Sequence, residues 1–262
     1  MASSVLVSGK LGDLIHSMYV PHHLFERHGI RTKIYITDSV EHFENGVENT
    51  YRELKPIICQ QKGNDGFEIW QDQPIEYNTT LFRKSPYLYT RCWTEIMCGT
   101  FFPNEEPTKG AWMVYNEVRN RDTTLVINRR FKTPVHEELY QAYLSVIQQH
   151  QEVIFLGSEL EYDFFPLKHL CRLVVPQDIQ NWFFYIAKAK VFMGNQSAPL
   201  AIASALNTPR IAELLPRKYA DWVHYWGEDK YGEINFVQHN TLQDLCHGLS
   251  RTFRKWCKKH IS

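Results

Sequence analysis

Three short stretches of this chain carry residues whose types and spacing could do chemistry. The first is "VSGKLGDLIHSMYVP" (7–21), in which Gly9, Lys10, Gly12 and Asp13 follow an apolar run and precede an apolar helix. Glycines allow close backbone approach to a ligand, and the free N–H groups at a helix start favour anions. A carboxylate there can accept a proton or cap the helix, and Asp13 is open to both readings. The second is "INRRFKTP" (127–134), where Asn128, Arg129, Arg130 and Lys132 leave a buried strand. Adjacent cations at a strand exit suit a diphosphate, since a guanidinium can fork onto two oxygens, with a solvated loop the plainer alternative. The third is "GNQSAPLAIASALNTP" (194–209), in which Asn195, Gln196, Ser197, Ala198 and Pro199 lead into a helix of small residues. Its first amides face a potential anion, with Ser197 as a plain N-cap the simpler alternative.

Weaker candidates sit at other strand ends: Gly157; Val175, Gln177 and Asp178 for a nucleobase edge; and Glu213, read either for ribose hydroxyls or as a surface residue. His16, one turn beyond Asp13, is read either on the acceptor side or as a packed ring. Trp222 and Trp226 are read as a sugar-stacking wall or as core. Neither a phosphate-binding G-x-x-x-x-G-K-[ST] loop nor a G-x-G-x-x-G turn is present, which disfavours a P-loop kinase and a nicotinamide dehydrogenase.

The elements that must hold these residues read as alternating strand and helix. "SVLVSG" (4–9), "KIYITD" (33–38), "TTLVIN" (123–128), "EVIFLG" (152–157), "CRLVVP" (171–176), "VFMGN" (191–195) and "PRIAEL" (209–214) are short apolar runs of the buried-strand kind. "LIHSMY" reads as helix up to Pro21, with a second helical stretch beyond. Thr133-Pro134 before Glu137 and Glu138 marks another helix start. In "DIQNWFFYIAKA", Ile179, Trp182, Phe183, Ile186 and Ala187 fall on one helical face. Residues 40–118 resist a clear reading, and "FFPNEEPTKGAW" (101–112) looks like a linker. The expectation is an α/β fold of two Rossmann-like domains, 1–118 and 119–262, with the three turns at carboxyl-terminal sheet edges.

Composition narrows the partners. The 262 residues carry 29 Lys+Arg and 29 Asp+Glu, so no global charge recruits nucleic acid, and no stable nucleic-acid partner is expected. The basic segment 251–260 is a solvated helix face or, as the lesser reading, a weak membrane-surface contact. Six scattered cysteines without a C-x-x-C pair disfavour a zinc site and a disulfide framework. With no apolar run near the roughly 18 residues of a membrane span and no signal-like start, a cytoplasmic protein with reduced thiols is expected.

Set in order, "GKLGDLIHSMYVP" resembles the N-terminal motif of the family 9 glycosyltransferases, the ADP-heptose:lipopolysaccharide heptosyltransferases, and "YIAKAKVFMGNQSAPLAIASALNTPRIAE" resembles their second signature. "LVINRRFKTP" through "VIFLGSELEYDFF" is similar to the opening of the C-terminal domain in related proteins. The resemblance implies a GT-B architecture of two Rossmann-like β/α/β domains facing across a cleft, with the acceptor on the first and the donor on the second. It implies a glycosyltransferase of the hexosyl- or heptosyltransferase type in polysaccharide biosynthesis, inverting and metal-independent, with Asp13 as general base. No cofactor beyond the nucleotide-diphosphate sugar co-substrate is implied, and the acceptor is a glycan or glycoconjugate. Where the family has an acidic residue in the donor turn, this chain has Asn195-Gln196-Ser197, so the sugar's identity is not carried over. The alternatives are a DNA-base glycosyltransferase and a catalytically silent nucleotide-sugar-binding or scaffold protein.

Overall fold

A computed structural model of the protein describes residues 2–88, 91–122, 124–130, 137–214 and 234–238, the side chains of 137–139, 214 and 234–238 excepted. Expectations for Lys132, the helix start at 133–134, Trp222, Trp226 and the basic segment 251–260 lie outside the described residues.

The first half runs β1 (Ser3–Val7), α1 (Leu11–Ser17), α2 (Tyr19–His28), β2 (Thr32–Ile36), α3 (Gly46–Ile58), β3 (Asn64–Ile69), the two-residue β4 (Tyr77–Asn78), a 3-10 turn (Thr79–Lys84) and α4 (Trp93–Phe101). All pairings in its sheet are parallel, in the order β3-β2-β1-β4. Val5, Val7, Ile34 and Ile36 on one face and Leu6 and Tyr35 on the other are all buried, as strands covered on both faces require. Pro21 does not start a new helix. It occupies the first turn of α2, where its missing N–H has no intrahelical partner to lose.

The second half runs β5 (Leu125–Asn128), α5 (Glu137–Ile147), β6 (Val153–Leu156), α6 (Glu159–Asp163), β7 (Arg172–Val174), α7 (Ile179–Lys188), β8 (Val191–Asn195), α8 (Ala198–Ala205), β9 (Arg210–Leu214) and β10 (Ile234–Gln238). Its parallel sheet has the order β10-β9-β8-β5-β6-β7. Counted from β5, that is the doubly wound 3-2-1-4-5-6 order of a dinucleotide-binding domain.

Each sheet therefore reverses direction at one point, between β1 and β4 in the first and between β5 and β8 in the second. Open α/β sheets bind ligands in the crevice outside such a point.

The halves share a core. Val5, Ile15, Trp112, Phe183, Phe192 and Ala201 belong to one buried cluster reaching from the first sheet into α7 and α8, while Tyr143, Phe155 and Met193 form a second on the far face of the second sheet. Residues 101–112, expected to be a linker, form a strap. Trp112 donates its indole N–H to the Ile15 carbonyl (3.1 Å), and the amides of Trp112 and Met113 both donate to Ala205 O (3.0 Å each). The reason is apolar content: Phe102, Trp112 and Met113 are buried, and burying them outweighs the freedom of a loose connection. Among the described residues no helix is long and apolar enough to cross a membrane.

Candidate functional site

The amino-terminal ends of α1 and α8 meet. A Cβ placed on Gly12 would stand 3.6 Å from Ala198 Cα and 3.7 Å from its amide nitrogen. Because α1 follows β1 and α8 follows β8, the carboxyl edges of the two sheets face one another here. Two of the three turns read from sequence thus line a single crevice, and the third, after β5, adjoins β8.

On the first-domain side, Lys10 is the N-cap residue of α1, and Asp13 stands one turn in rather than at the cap. The Lys10 backbone amide and side chain favour the ionised form of Asp13. The Asp13 Oδ2 also accepts from Arg83 Nη2 at 2.5 Å. Arg83 comes from the 3-10 turn after β4, the other side of the switch point, so the sheet topology itself brings the pair together. Glu41 Oε2 lies 3.8 Å from the same guanidinium nitrogen, and the Arg83 side chain rests over the Phe82 ring. Burial pushes the Asp13 carboxyl up to about 6, outweighing the opposing pull of Arg83, while the nearby Glu41 charge adds to the rise. An acid with that value is mostly ionised at neutral pH yet still basic enough to take a proton. Neither Arg83 nor Glu41 stood out in the sequence, where each sits in an unremarkable polar stretch. Gly9 is required at its position: its φ is +104°, and a Cβ there would meet Arg83 Nη2 at 2.5 Å.

His16 does not line this crevice. It is 2% exposed and stacks on Trp93, with ring centroids 4.0 Å apart and planes 8° from parallel. Burial first, and Arg210 second, hold it well below the usual imidazole range, so it is a neutral core ring rather than an acceptor contact.

On the second-domain side, side chains lock the two turns together. Asn195 Oδ1 accepts from the Arg130 amide (3.2 Å), and Asn195 Nδ2 donates to the Arg130 carbonyl (3.0 Å). Asn128 Nδ2 donates to Leu156 O (2.9 Å), and its Oδ1 accepts from the Ser197 hydroxyl (3.2 Å). Ser197 also bonds Asn195 O (3.1 Å) and makes no capping bond to α8, although it is the N-cap residue. Its hydroxyl braces the turn, and in the first turn of α8 the amides of Ala198 and Leu200 have no intrahelical partner, while Pro199 between them carries no N–H. Pro199 lies in the first turn of α8, and Gln196 is half-buried on the same turn.

Arg129 and Glu213 require a correction. Arg129 was expected on diphosphate and Glu213 on ribose, but the two bind each other inside the domain. Arg129 Nε stands 2.8 Å from Glu213 Oε2 and Arg129 Nη2 3.0 Å from Oε1, with Tyr143 donating to the same carboxylate at 3.1 Å. Both side chains are at most 4% exposed. Arg130 points the other way, with its side chain 47% exposed and Glu161 at 3.7 Å. Of the two adjacent arginines only Arg130 presents its side chain to solvent, on the side of α6. Gly157 lies beside Asn128 and Glu161, Val175 is exposed, and Asp178 caps α7 by accepting from the Asn181 amide at 2.7 Å. These three stand at the ends of β6 and β7, next to the switch point rather than on it. A small cavity of about 90 Å³ near His22, Gln61 and Trp112 lies under the strap, apart from this crevice.

The architecture has counterparts among solved structures. A family 9 glycosyltransferase from Veillonella parvula superposes with a TM-score of 0.59 at 9% identity, covering 97% of this chain and 89% of that one. The E. coli heptosyltransferase WaaC with ADP gives 0.55 at 10% identity over 100% and 99% of the two chains. The E. coli ADP-heptose lps heptosyltransferase II gives 0.55 at 11% identity over 90% of each. No protein-family profile matches the sequence, and no curated protein does. At such identities the likeness establishes the fold, which is GT-B: two Rossmann-like domains with their switch points turned toward one another.

Proposed function

We propose that the chain is a glycosyltransferase that moves a sugar from a nucleotide-diphosphate donor to a hydroxyl of a glycan or glycoconjugate. The observation that carries this reading is the contact of the α1 and α8 starts, where Gly12, next to Asp13 in the chain, lies against Ala198. The solved structures of like fold support it, being glycosyltransferases, one of them with ADP.

In this reading the donor diphosphate lies over the first amides of α8, and Arg130 offsets the charge that grows as the sugar–phosphate bond breaks. The acceptor hydroxyl enters from the first domain. Asp13 Oδ takes its proton as the oxygen attacks the anomeric carbon from the face opposite the diphosphate, which inverts that centre. The amides and Arg130 supply the positive charge at the leaving group, so the step is proposed to need no metal there. Lys10, Gly9 and Gly12 shape the acceptor side. Arg83 keeps Asp13 oriented until the acceptor arrives.

A thermal-shift panel of nucleoside diphosphates and their sugars tests donor binding. One nucleotide class is expected to raise Tm at concentrations well above its Kd, because binding to the folded state adds stability by mass action. Absence of any shift across the panel overturns the reading. Asp13→Asn separates an enzyme from a silent binder: transfer is expected to collapse while the donor shift persists.

A further inference from the structure

Away from the crevice, α2 and the strap bring three ligand-type side chains together. His23 and His28 come from α2 and its last turn, Glu105 from the strap. His23 Nε2 stands 2.8 Å from Glu105 Oε2, and His28 Nε2 stands 3.1 Å from the same carboxylate. One ligand atom from each lies within 4.8 Å of the others. Ligand atoms of a tetrahedral zinc site stand about 3.3 Å apart, given Zn–N and Zn–O bonds of roughly 2.0–2.2 Å.

We propose that His23, His28 and Glu105 form a site for a divalent transition-metal ion of the Zn²⁺ class, which pins the strap to α2. Two imidazoles and one carboxylate make a three-ligand set that leaves a fourth position for water. His28 and Glu105 are partly exposed and open that position to solvent, whereas His23 is fully buried.

The surroundings are those of a held ligand. Tyr19 Oη is 3.2 Å from His23 Nδ1, and the Thr108 amide, also on the strap, fixes that oxygen at 2.8 Å. Phe102 stacks on the His23 ring at 4.3 Å. The ring is thereby fixed with Nε2 aimed at Glu105, the outer-shell support that metal-bound histidines use. With an ion present, His23 keeps its proton on Nδ1 and donates it in a hydrogen bond to Tyr19 Oη, leaving the Nε2 lone pair free. Without one, Nε2–H donates to Glu105 and the same atoms form a hydrogen-bonded clasp. The positive group that faces the cluster is Arg27, whose guanidinium donates to the Glu106 carbonyl at 3.3 Å.

The test uses the full chain stripped of metal and titrated with Co²⁺, followed by its visible d–d absorption and by Tm. Saturation at one equivalent is expected, with Zn²⁺ displacing Co²⁺ and raising Tm. His28→Ala and Glu105→Gln, both at solvent-facing positions that leave the core intact, are expected to lose the saturable band. Tyr19→Phe is expected to weaken binding by about 10-fold. No saturable band from folded wild type, or an undiminished band in His28→Ala or Glu105→Gln, overturns the proposal. The donor-induced Tm shift is expected to survive in both variants, which separates this site from the crevice.

Discussion

Arg83 Nη2 lies 2.5 Å from Asp13 Oδ2, joining residues seventy positions apart across the switch point of the first sheet. The pair has an unequal balance. The carboxyl is largely withdrawn from water and its value rises to about 6 even with the guanidinium beside it. Glu41 lies near both groups and pushes Asp13 the same way as burial does. A salt bridge that fails to hold its acid low suits a group that must accept a proton and later release it.

The pH dependence of transfer follows. A base must be unprotonated, so kcat/KM is expected to fall below about pH 6 as Asp13 takes up its proton. Asp13→Asn is expected to lower the rate by about 10²- to 10⁴-fold. In Arg83→Gln the cation that favours the ionised form is gone, so the acidic limb is expected to move to higher pH. An acidic limb that stays in place, or moves lower, removes Arg83 from the electrostatics of the base.

The same carboxyl makes an opposite contribution to stability from that of an ordinary surface aspartate. Its folded value of about 6 lies above its unfolded value of 3.8. The folded state therefore holds the proton more tightly, and the stability this gives is full below the unfolded value and is lost as pH rises through 6. Relative to Asp13→Asn, the wild type is expected to lose up to about 3 kcal/mol between pH 4 and pH 7. Urea unfolding of both proteins at several pH values measures the gap. A gap that widens in favour of wild type with rising pH means that Arg83 outweighs burial.

Much of this architecture is legible in the sequence, and the parts that are not share a cause. The runs that became β1, β2, β5, β6, β8 and β9 are buried on both faces and read as apolar blocks, and α7 shows its face through Ile179, Phe183 and Ile186. The two-residue β4 and the 3-10 turn after it are too short for any period to show, and they deliver Arg83. Arg129 and Arg130 are indistinguishable as letters. They follow the end of β5, and one side chain is buried while the other is exposed. Which one is buried is set by Glu213, which lies beyond β8 in sequence and arrives only when β9 pairs with β8.

The buried pair makes its own prediction. Arg129→Met alone leaves Glu213 charged and enclosed, and is expected to cost about 3–5 kcal/mol. Arg129→Met with Glu213→Leu removes both charges and is expected to regain most of that loss. Chemical unfolding of the four proteins in the cycle measures it, and donor-induced Tm shifts of the double variant are expected to match wild type. A double variant that is stable but blind to donor returns Arg129 to the diphosphate.

Glycine substitutions separate the two faces of the crevice. At Gly9 the backbone has φ +104°, a region that costs an L side chain about 1–2 kcal/mol. The added Cβ also meets Arg83 Nη2 at 2.5 Å and Asp13 Oδ2 at 3.0 Å. Gly9→Ala is therefore expected to lower Tm and to reduce kcat, because the guanidinium must leave the carboxylate. At Gly12 the conformation is helical and the nearest atom, Ala198 Cα, is at an ordinary 3.6 Å. Gly12→Ala is expected to fold at least as stably as wild type, since alanine is the better helix former by about 1 kcal/mol. Its methyl group, however, fills the space beside the first amide of α8. Donor affinity is expected to drop in Gly12→Ala and to persist in Gly9→Ala, and thermal-shift titrations of both variants measure this. Equal donor affinity in the two variants places the diphosphate away from the contact between α1 and α8.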